Sequence, residues 1–213
     1  MRCFLYYMAD KLWPVILAAG LTQWVAQKIF EHRKPKLEMV PEGEGTGFSG
    51  WYGTPSNKYQ TWRVSVRHVK VQKRFAGLIK YRDSALQCNA DLIFYNNIGE
   101  KMFAMAGRWA NTKQPPFVSS ERAKEMFFYP DRIDIGYHSS EPLDCVVQYH
   151  DDNSAYGWNN EAYWKNGKNS DFELGVGEYK VEVKLSGQNF PQVSTSFKMI
   201  ISKNSTGTNL SPA

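Results

Sequence analysis

Cysteine is scarce in this chain of 213 residues. The only cysteines are Cys3, Cys88 and Cys145, an odd number with no CxxC pair among them. Such spacing excludes a disulfide-stapled scaffold and a cysteine-based zinc site. We therefore expect Cys88 and Cys145 to be free thiols buried in the fold.

Motifs that carry catalysis or bind metals are also missing. The sequence contains no HExxH, no GxSxG and no phosphate-binding P-loop, and its four histidines are scattered at His32, His68, His138 and His150. Residues 150–154 (HDDNS) offer oxygens suited to Ca²⁺ but lack the alternating DxDxDG pattern, so a solvated loop is the preferred interpretation. We predict a non-enzymatic protein with no catalytic residue, no metal and no cofactor.

The positive charge is concentrated at one end of the chain. The net charge is +5, with 14 basic and 5 acidic residues in 1–82 but 12 basic and 16 acidic residues in 83–213. Without residues 1–36 the balance is 20 basic against 19 acidic residues. A nucleic-acid-binding domain is more often basic throughout, so nucleic acid is an unlikely partner and a membrane surface is favoured.

One long apolar run is present, between Leu12 and Phe30. Its 19 residues include four polar members, Thr22, Gln23, Gln27 and Lys28. A helix needs about 20 residues to cross the hydrocarbon layer, and on this basis we predict a transmembrane helix within an N-terminal anchor, residues 1–35. Two alternatives remain: a cleaved signal peptide, and a helix that lies flat in the interface or is buried in the protein.

The residues that flank this run indicate its orientation and its contacts. Arg2 and Lys11 precede the run, whereas four basic residues accompany its end: Lys28, Arg33, Lys34 and Lys36. The excess favours a C-terminal domain in the cytoplasm. Gly20, Gln23 and Gln27 share one helical face, which suits self-association through the helix, although an anchor of weak hydrophobicity also tolerates two amides.

From residue 36 to 202 the apolar pattern alternates, as it does in half-buried strands. We predict an entry strand over 36–40, a loop over 41–58 and a single helix over 119–128. Strands follow the apolar positions of 62–66, 86–94, 102–109, 133–137, 143–149, 179–185 and 195–201. Seven to eight such strands predict an antiparallel β-sandwich, and the polar residues 203–213 predict a disordered tail.

Several stretches carry a resemblance to a family. The segment Leu174–Val181 (LGVGEYKV) looks like the corner of immunoglobulin-like folds, in which a tyrosine, here Tyr179, opens the penultimate strand. In this segment and six others, the chain resembles uncharacterised, membrane-anchored Ig-like β-sandwich proteins of archaea and bacteria. The other segments are HRKPKLEM, TWRVSV, SALQCNADLIF, GRW, DRIDIGY and EPLDCV. The resemblance covers most of residues 30–202. It implies an Ig-like fold and an anchor, and no activity.

Two groups of residues are candidate contact sites. The segment 156–164 interleaves aromatic rings with amides, a composition that suits a sugar or a peptide, although such residues also cover the open end of a sandwich: Tyr156, Trp158, Asn159, Asn160, Tyr163 and Trp164. The second group is basic and is expected to face anionic lipid: Lys28, Arg33, Lys34, Lys36, Arg63 and Arg67.

The sequence thus favours a membrane-anchored binding module that recruits an unidentified protein or ligand at the cytoplasmic membrane face. The alternative is an extracytoplasmic protein of the cell envelope that binds carbohydrate or accompanies a hydrolase.

Overall fold

A computed structural model describes residues 2–49, 57–71, 81–112, 132–164, 168–203 and 205–213. These residues form one long helix followed by two antiparallel sheets of six strands each. Side chains from both sheets share one hydrophobic core, so the domain is an all-β sandwich as predicted. The helix predicted over 119–128 lies outside the described residues.

The helix α1 comprises Arg2–Arg33, 32 residues, and so begins earlier than the apolar run of the sequence. The strands are β1 (Leu37–Ser49), β2 (Asn57–His68), β3 (Ala85–Tyr95), β4 (Lys101–Ala106), β5 (Arg108–Trp109), β6 (Ile133–Ile135), β7 (Ser140–Tyr149), β8 (Ala155–Gly157), β9 (Glu173–Leu174), β10 (Gly177–Ser186), β11 (Val193–Ile201) and β12 (Asn209–Pro212). A short helix, α2, comprises Asn160–Trp164.

Sheet 1 has the order β1-β2-β7-β8-β9, and β5 also pairs with β7. Sheet 2 has the order β12-β11-β10-β3-β4, and β6 also pairs with β3. The chain passes from β4 to β5 at Gly107, whose backbone N donates to the carbonyl of Ala90 at 2.7 Å. A Cβ at this position would lie 2.9 Å from side-chain atoms of both Ala90 and Leu143, which explains a glycine between the two sheets.

The first strand is much longer than the sequence predicted. Residues 41–58 were expected to form a loop because they are rich in glycine and proline, but β1 continues to Ser49 and pairs with β2. Glycine here serves close packing, since a Cβ on Gly45 would lie 2.6 Å from Thr61 Oγ1. Pro41 is tolerated because β1 is an edge strand.

A bulge changes which side chains of β7 face the core. The pairing of β2 with β7 shifts between Trp62 and Arg63. As a result Leu143 and Cys145 belong to the core, whereas Val147, expected on the same face, belongs to a separate cluster. One extra residue in a strand is sufficient for this change of face.

The C-terminal tail is ordered, which differs from the prediction of disorder. Strand β12 pairs with β11, and Leu210 is buried. Thr208 Oγ1 donates to the amide oxygen of Gln148 at 2.8 Å and accepts from the backbone N of Ser202 at 2.9 Å. Since Gln148 lies on β7, this buried network ties the tail to sheet 1.

At the start of β10, Tyr179 makes the contact typical of a corner tyrosine, although two strands, β11 and β12, follow β10. Its hydroxyl donates to the backbone carbonyl of Gly175 at 2.9 Å. Cys88 and Cys145 are free and buried, as predicted.

Candidate functional site

The aromatic segment predicted as a binding site packs on the outer face of sheet 1. Five side chains form a second cluster there, which we call the outer-face cluster: Tyr59, Val147, Tyr149, Tyr156 and Trp158. The ring of Tyr59 lies 5.8 Å from that of Tyr149 and 5.7 Å from that of Trp158. Tyr156 and Trp158 are only 7% and 4% exposed, so their faces are not presented to a ligand.

Asn159 has a local structural role. It is buried, and its side-chain oxygen accepts from the backbone N of Ala162 at 2.7 Å, which caps the first turn of α2. Tyr156, Trp158 and Asn159 are thus packed against neighbouring groups, and their predicted role in binding stays a prediction. Asn160 is partly exposed, and Tyr163 and Trp164 belong to α2.

An ionic contact closes one side of the outer-face cluster. The hydroxyl of Tyr156 donates to Asp152 Oδ2 at 2.9 Å, and Lys168 Nζ lies 3.0 Å from the same oxygen. Lys168 also stands over the ring of Tyr149, 5.1 Å from its centroid. Partial burial alone would raise the pKa of the Asp152 carboxyl, but hydrogen bonds from Ser154 and Lys168 bring that pKa below its ordinary value.

Burial and the adjacent Asp152 carboxylate raise the pKa of the Tyr156 phenol far above its ordinary value. Tyr156 is therefore a neutral hydrogen-bond donor at every physiological pH. The oxygens of Asp152 are occupied by donors from the protein, and no three His, Cys, Asp or Glu side chains within the described ranges lie close enough together to hold a metal ion.

Beside the outer-face cluster is a buried ion cluster that sequence reasoning missed. Asp144 is fully buried; its Oδ1 accepts from Arg63 Nε at 2.6 Å, and its Oδ2 accepts from Nη1 of the buried Arg108. We call these three residues the Asp144 cluster. Burial, and then the charge of Asp144, raise the pKa of the nearby Tyr59. One feature of the sequence could have indicated this cluster: Asp144 is an acidic residue inside an apolar strand, between Leu143 and Cys145.

The structure separates the predicted membrane-surface cations into three groups. Arg63 is partly exposed and pairs with the buried Asp144, and its predicted place on a lipid-facing surface stays a prediction. Three others form ion pairs with partly exposed carboxylates: Lys28 with Glu31 (3.0 Å), Arg33 with Asp83 (2.7 Å) and Arg67 with Glu38 (2.9 Å). Lys34 and Lys36 are exposed, and neither forms an ion pair with any described residue.

The sandwich holds the end of α1 through Arg82 and Asp83. The guanidinium of the buried Arg82 donates through Nη1 to the carbonyls of His32 (2.7 Å) and Lys34 (3.3 Å). The backbone N of Asp83 donates to the carbonyl of Arg33 at 2.8 Å. The last carbonyls of a helix have no partner within it, and here the sandwich supplies the donors. We call this region the junction.

Between residues 18 and 30 of α1, every side chain is exposed except that of Ile29, which is partly exposed. The exposed fractions of Leu21, Trp24, Val25 and Phe30 are 64%, 58%, 41% and 62%. Leu21 and Phe30 are nine residues apart and lie on opposite sides of the helix, so apolar surface is present around its circumference.

The transmembrane prediction for α1 is not supported. Of the helices that the described residues form, none is long and apolar enough to cross a membrane.

No protein-family model, characterised protein or solved structure matches the chain. The resemblance to membrane-anchored Ig-like proteins therefore stays a prediction, and the function must be argued from the junction, α1 and the sandwich themselves.

Proposed function

We propose that the chain is a non-enzymatic, Ig-like β-sandwich module that α1 attaches to the cytoplasmic face of a membrane, where the sandwich recruits a protein or ligand. The observation that carries the proposal is the exposed apolar surface of α1, which ends at a basic junction. The corner contact of Tyr179 with Gly175 supports an Ig-like sandwich.

The exposed side chains of α1 favour an apolar environment. Leu21, Trp24 and Phe30 each expose more than half of their surface, and burial of one such side chain contributes about 1.5–3 kcal/mol. Because these residues do not share a single narrow stripe, lipid that surrounds the helix suits them better than one partner helix. Insertion of this surface into the membrane does not require α1 to cross it.

A vesicle flotation experiment with the full chain tests the attachment. We expect the wild-type chain to float with lipid vesicles and the triple variant L21Q/W24Q/F30Q to remain in the soluble fraction. Glutamine favours a helix, so the backbone of α1 is retained. The matched control is I98Q/M102Q/V176Q, which removes three exposed apolar side chains from the sandwich, with 73%, 43% and 53% exposure.

Two results would overturn the attachment. In the first, the α1 variant and the control variant float equally well. In the second, the wild-type chain stays soluble in the presence of vesicles and sedimentation shows an oligomer that L21Q/W24Q/F30Q dissociates. That outcome would assign the apolar surface to a second copy of the chain.

Orientation needs a separate measurement in cells. We expect a protease added to intact cells to leave the sandwich uncut and to digest it only after the membrane is permeabilised. Digestion from the outer side would refute the cytoplasmic orientation and leave the attachment through α1 standing.

A further inference from the structure

At the junction the charges do not balance. Three carboxylates of described residues lie there, and each already has a basic partner: Glu31 pairs with Lys28, Asp83 with Arg33 and Glu38 with Arg67. The guanidinium of Arg82 is buried against backbone carbonyls. Among the residues that the structure describes, the cations that remain are Lys34, Lys36 and Lys70, all exposed and none in an ion pair with a described residue.

The backbones of these three lysines lie at one end of the first ladder of sheet 1. Leu37 pairs with His68, and the backbone N of Val69 donates to the carbonyl of Lys36 at 2.8 Å. Lys36 and Lys70 therefore flank the same end of the β1–β2 pair. Lys34 lies two residues before Lys36, directly after α1.

Lys34 also connects this end of the ladder to the apolar surface of α1. Lys34 Nζ lies 5.3 Å from the centroid of the Phe30 ring, and that ring is 62% exposed. An ammonium beside an exposed aromatic ring suits a bilayer surface, where the ring reaches the acyl boundary and the ammonium meets phosphate.

We propose that Lys34, Lys36 and Lys70 form a binding surface for anionic phospholipid headgroups. The inference rests on the proposed membrane attachment and adds to it a class of lipid. The occupant is a bilayer surface because the cations adjoin an apolar helix, and their charge is complementary to phosphatidylserine or phosphatidylglycerol. Lys28, Arg33, Arg63 and Arg67 lie outside the surface because carboxylates of the protein already neutralise them.

The expected effect is large enough to measure. Each lysine near an anionic surface strengthens the attraction about fivefold, so three lysines give about a hundredfold. The attraction decays over about 8 Å at physiological ionic strength and over about 3 Å at 1 M salt. High salt should therefore remove the preference for anionic lipid and leave binding through the apolar side chains.

The experiment measures partitioning of the full chain into vesicles of phosphatidylcholine alone and of phosphatidylcholine with 30% phosphatidylserine. We expect the wild-type chain to bind the anionic vesicles about a hundredfold more tightly. The variant K34Q/K36Q/K70Q should bind both vesicles at the level of the neutral ones, with an unchanged thermal midpoint.

The matched control is K101Q/K180Q/K203Q, which removes the same charge from the opposite end of the sandwich. Strand β3 begins two residues after Asp83, and its 11 residues extend about 35 Å to Tyr95, which pairs with both Lys101 and Lys180. Lys203 follows the end of β11, which pairs there with the start of β10. This control should keep the preference for anionic vesicles.

The outcomes separate the inference from the attachment. Equal binding of the wild-type chain to both vesicles overturns the lipid preference and retains the attachment, whereas binding to neither overturns the attachment itself. If both lysine variants lose the preference for anionic vesicles equally, the effect comes from net charge and the proposed binding surface is wrong. A duplex DNA that binds the wild-type chain as tightly as anionic vesicles, and through the same lysines, assigns the surface to nucleic acid.

Discussion

The substitution D144N should lower the free energy of unfolding far more than neutralisation of Glu38. Both carboxylates accept a hydrogen bond from an arginine of β2. Asp144 binds Arg63 and Arg108, and it is fully buried. Removal of one member of a buried ion pair costs about 3–5 kcal/mol because the remaining charge stays buried. Here D144N leaves the guanidinium of Arg108, which is only 7% exposed, without its carboxylate.

The matched control is E38Q. Glu38 also accepts from the Nε of an arginine on β2, Arg67, at 2.9 Å compared with 2.6 Å in the buried pair. Its side chain is 41% exposed and that of Arg67 is 51% exposed, so the pair is screened by solvent. Exposed pairs contribute about 0–1 kcal/mol. The two variants therefore differ mainly in burial.

Urea unfolding followed by tryptophan fluorescence measures both variants. We expect D144N to lower the midpoint strongly and E38Q to leave it nearly unchanged. In thermal unfolding, about 3–5 kcal/mol corresponds to a decrease of about 6–20 °C for a chain of this size. Equal, small effects of D144N and E38Q would refute the reasoning, since they would mean that burial does not set the cost of breaking this cluster.

Three other variants test separate parts of the fold. Burial lowers the pKa of His68, whose Nε2 contacts the carbonyl of Ile135 at 3.0 Å. The free energy of unfolding should therefore fall as the pH drops below about 6.5, and H68Q should weaken this pH dependence in urea unfolding. T208V leaves the buried amide oxygen of Gln148 without its donor and should cost about 1–3 kcal/mol in the same assay. Burial raises the pKa of the Cys88 thiol to about 11, and in a C3S background a thiol reagent should react only after unfolding.

Each of these tests has a contrary result, and those of Thr208 and Cys88 also have a control variant. A T206V variant changes an exposed hydroxyl of the same turn and should be neutral; equal losses would mean that the buried network contributes nothing. An added I98C thiol, at a position 73% exposed, should react at once, and equally fast reaction of Cys88 would contradict its burial. A wild-type chain as stable at pH 5 as at pH 7.5 would contradict the argument for His68.

The alternation of apolar residues was sufficient to predict the main strands, since Trp62, Val64 and Val66 are buried as expected. The alternation did not predict features that depend on the pairing of one strand with another. The glycines of β1 indicate a loop by composition, yet pairing with β2 makes them a strand. The bulge in β7 moves Val147 from the predicted face, and no local sequence pattern predicts this bulge.

The candidate sites were harder to predict because their properties depend on contacts between distant segments. The rings of Tyr156 and Trp158 have the composition of a binding surface, but neighbouring strands bury them. The basic residues were all visible in the sequence. Whether a basic residue keeps an unneutralised charge depends on nearby acids such as Glu38 and Asp83. Asp83 lies 50 residues from its partner, Arg33.

The contacts of Arg82 with the carbonyls of His32 and Lys34 also have a mechanical consequence. They attach the end of α1 to the sandwich, and we therefore expect a change in the tilt of the helix to rotate the sandwich with it. At the hairpin beyond Tyr95, about 35 Å from the junction, a tilt of about 10° becomes a displacement of about 6 Å. In the membrane attachment that we propose, the angle of α1 would thus set the height of the opposite end of the sandwich and the reach of any partner bound there.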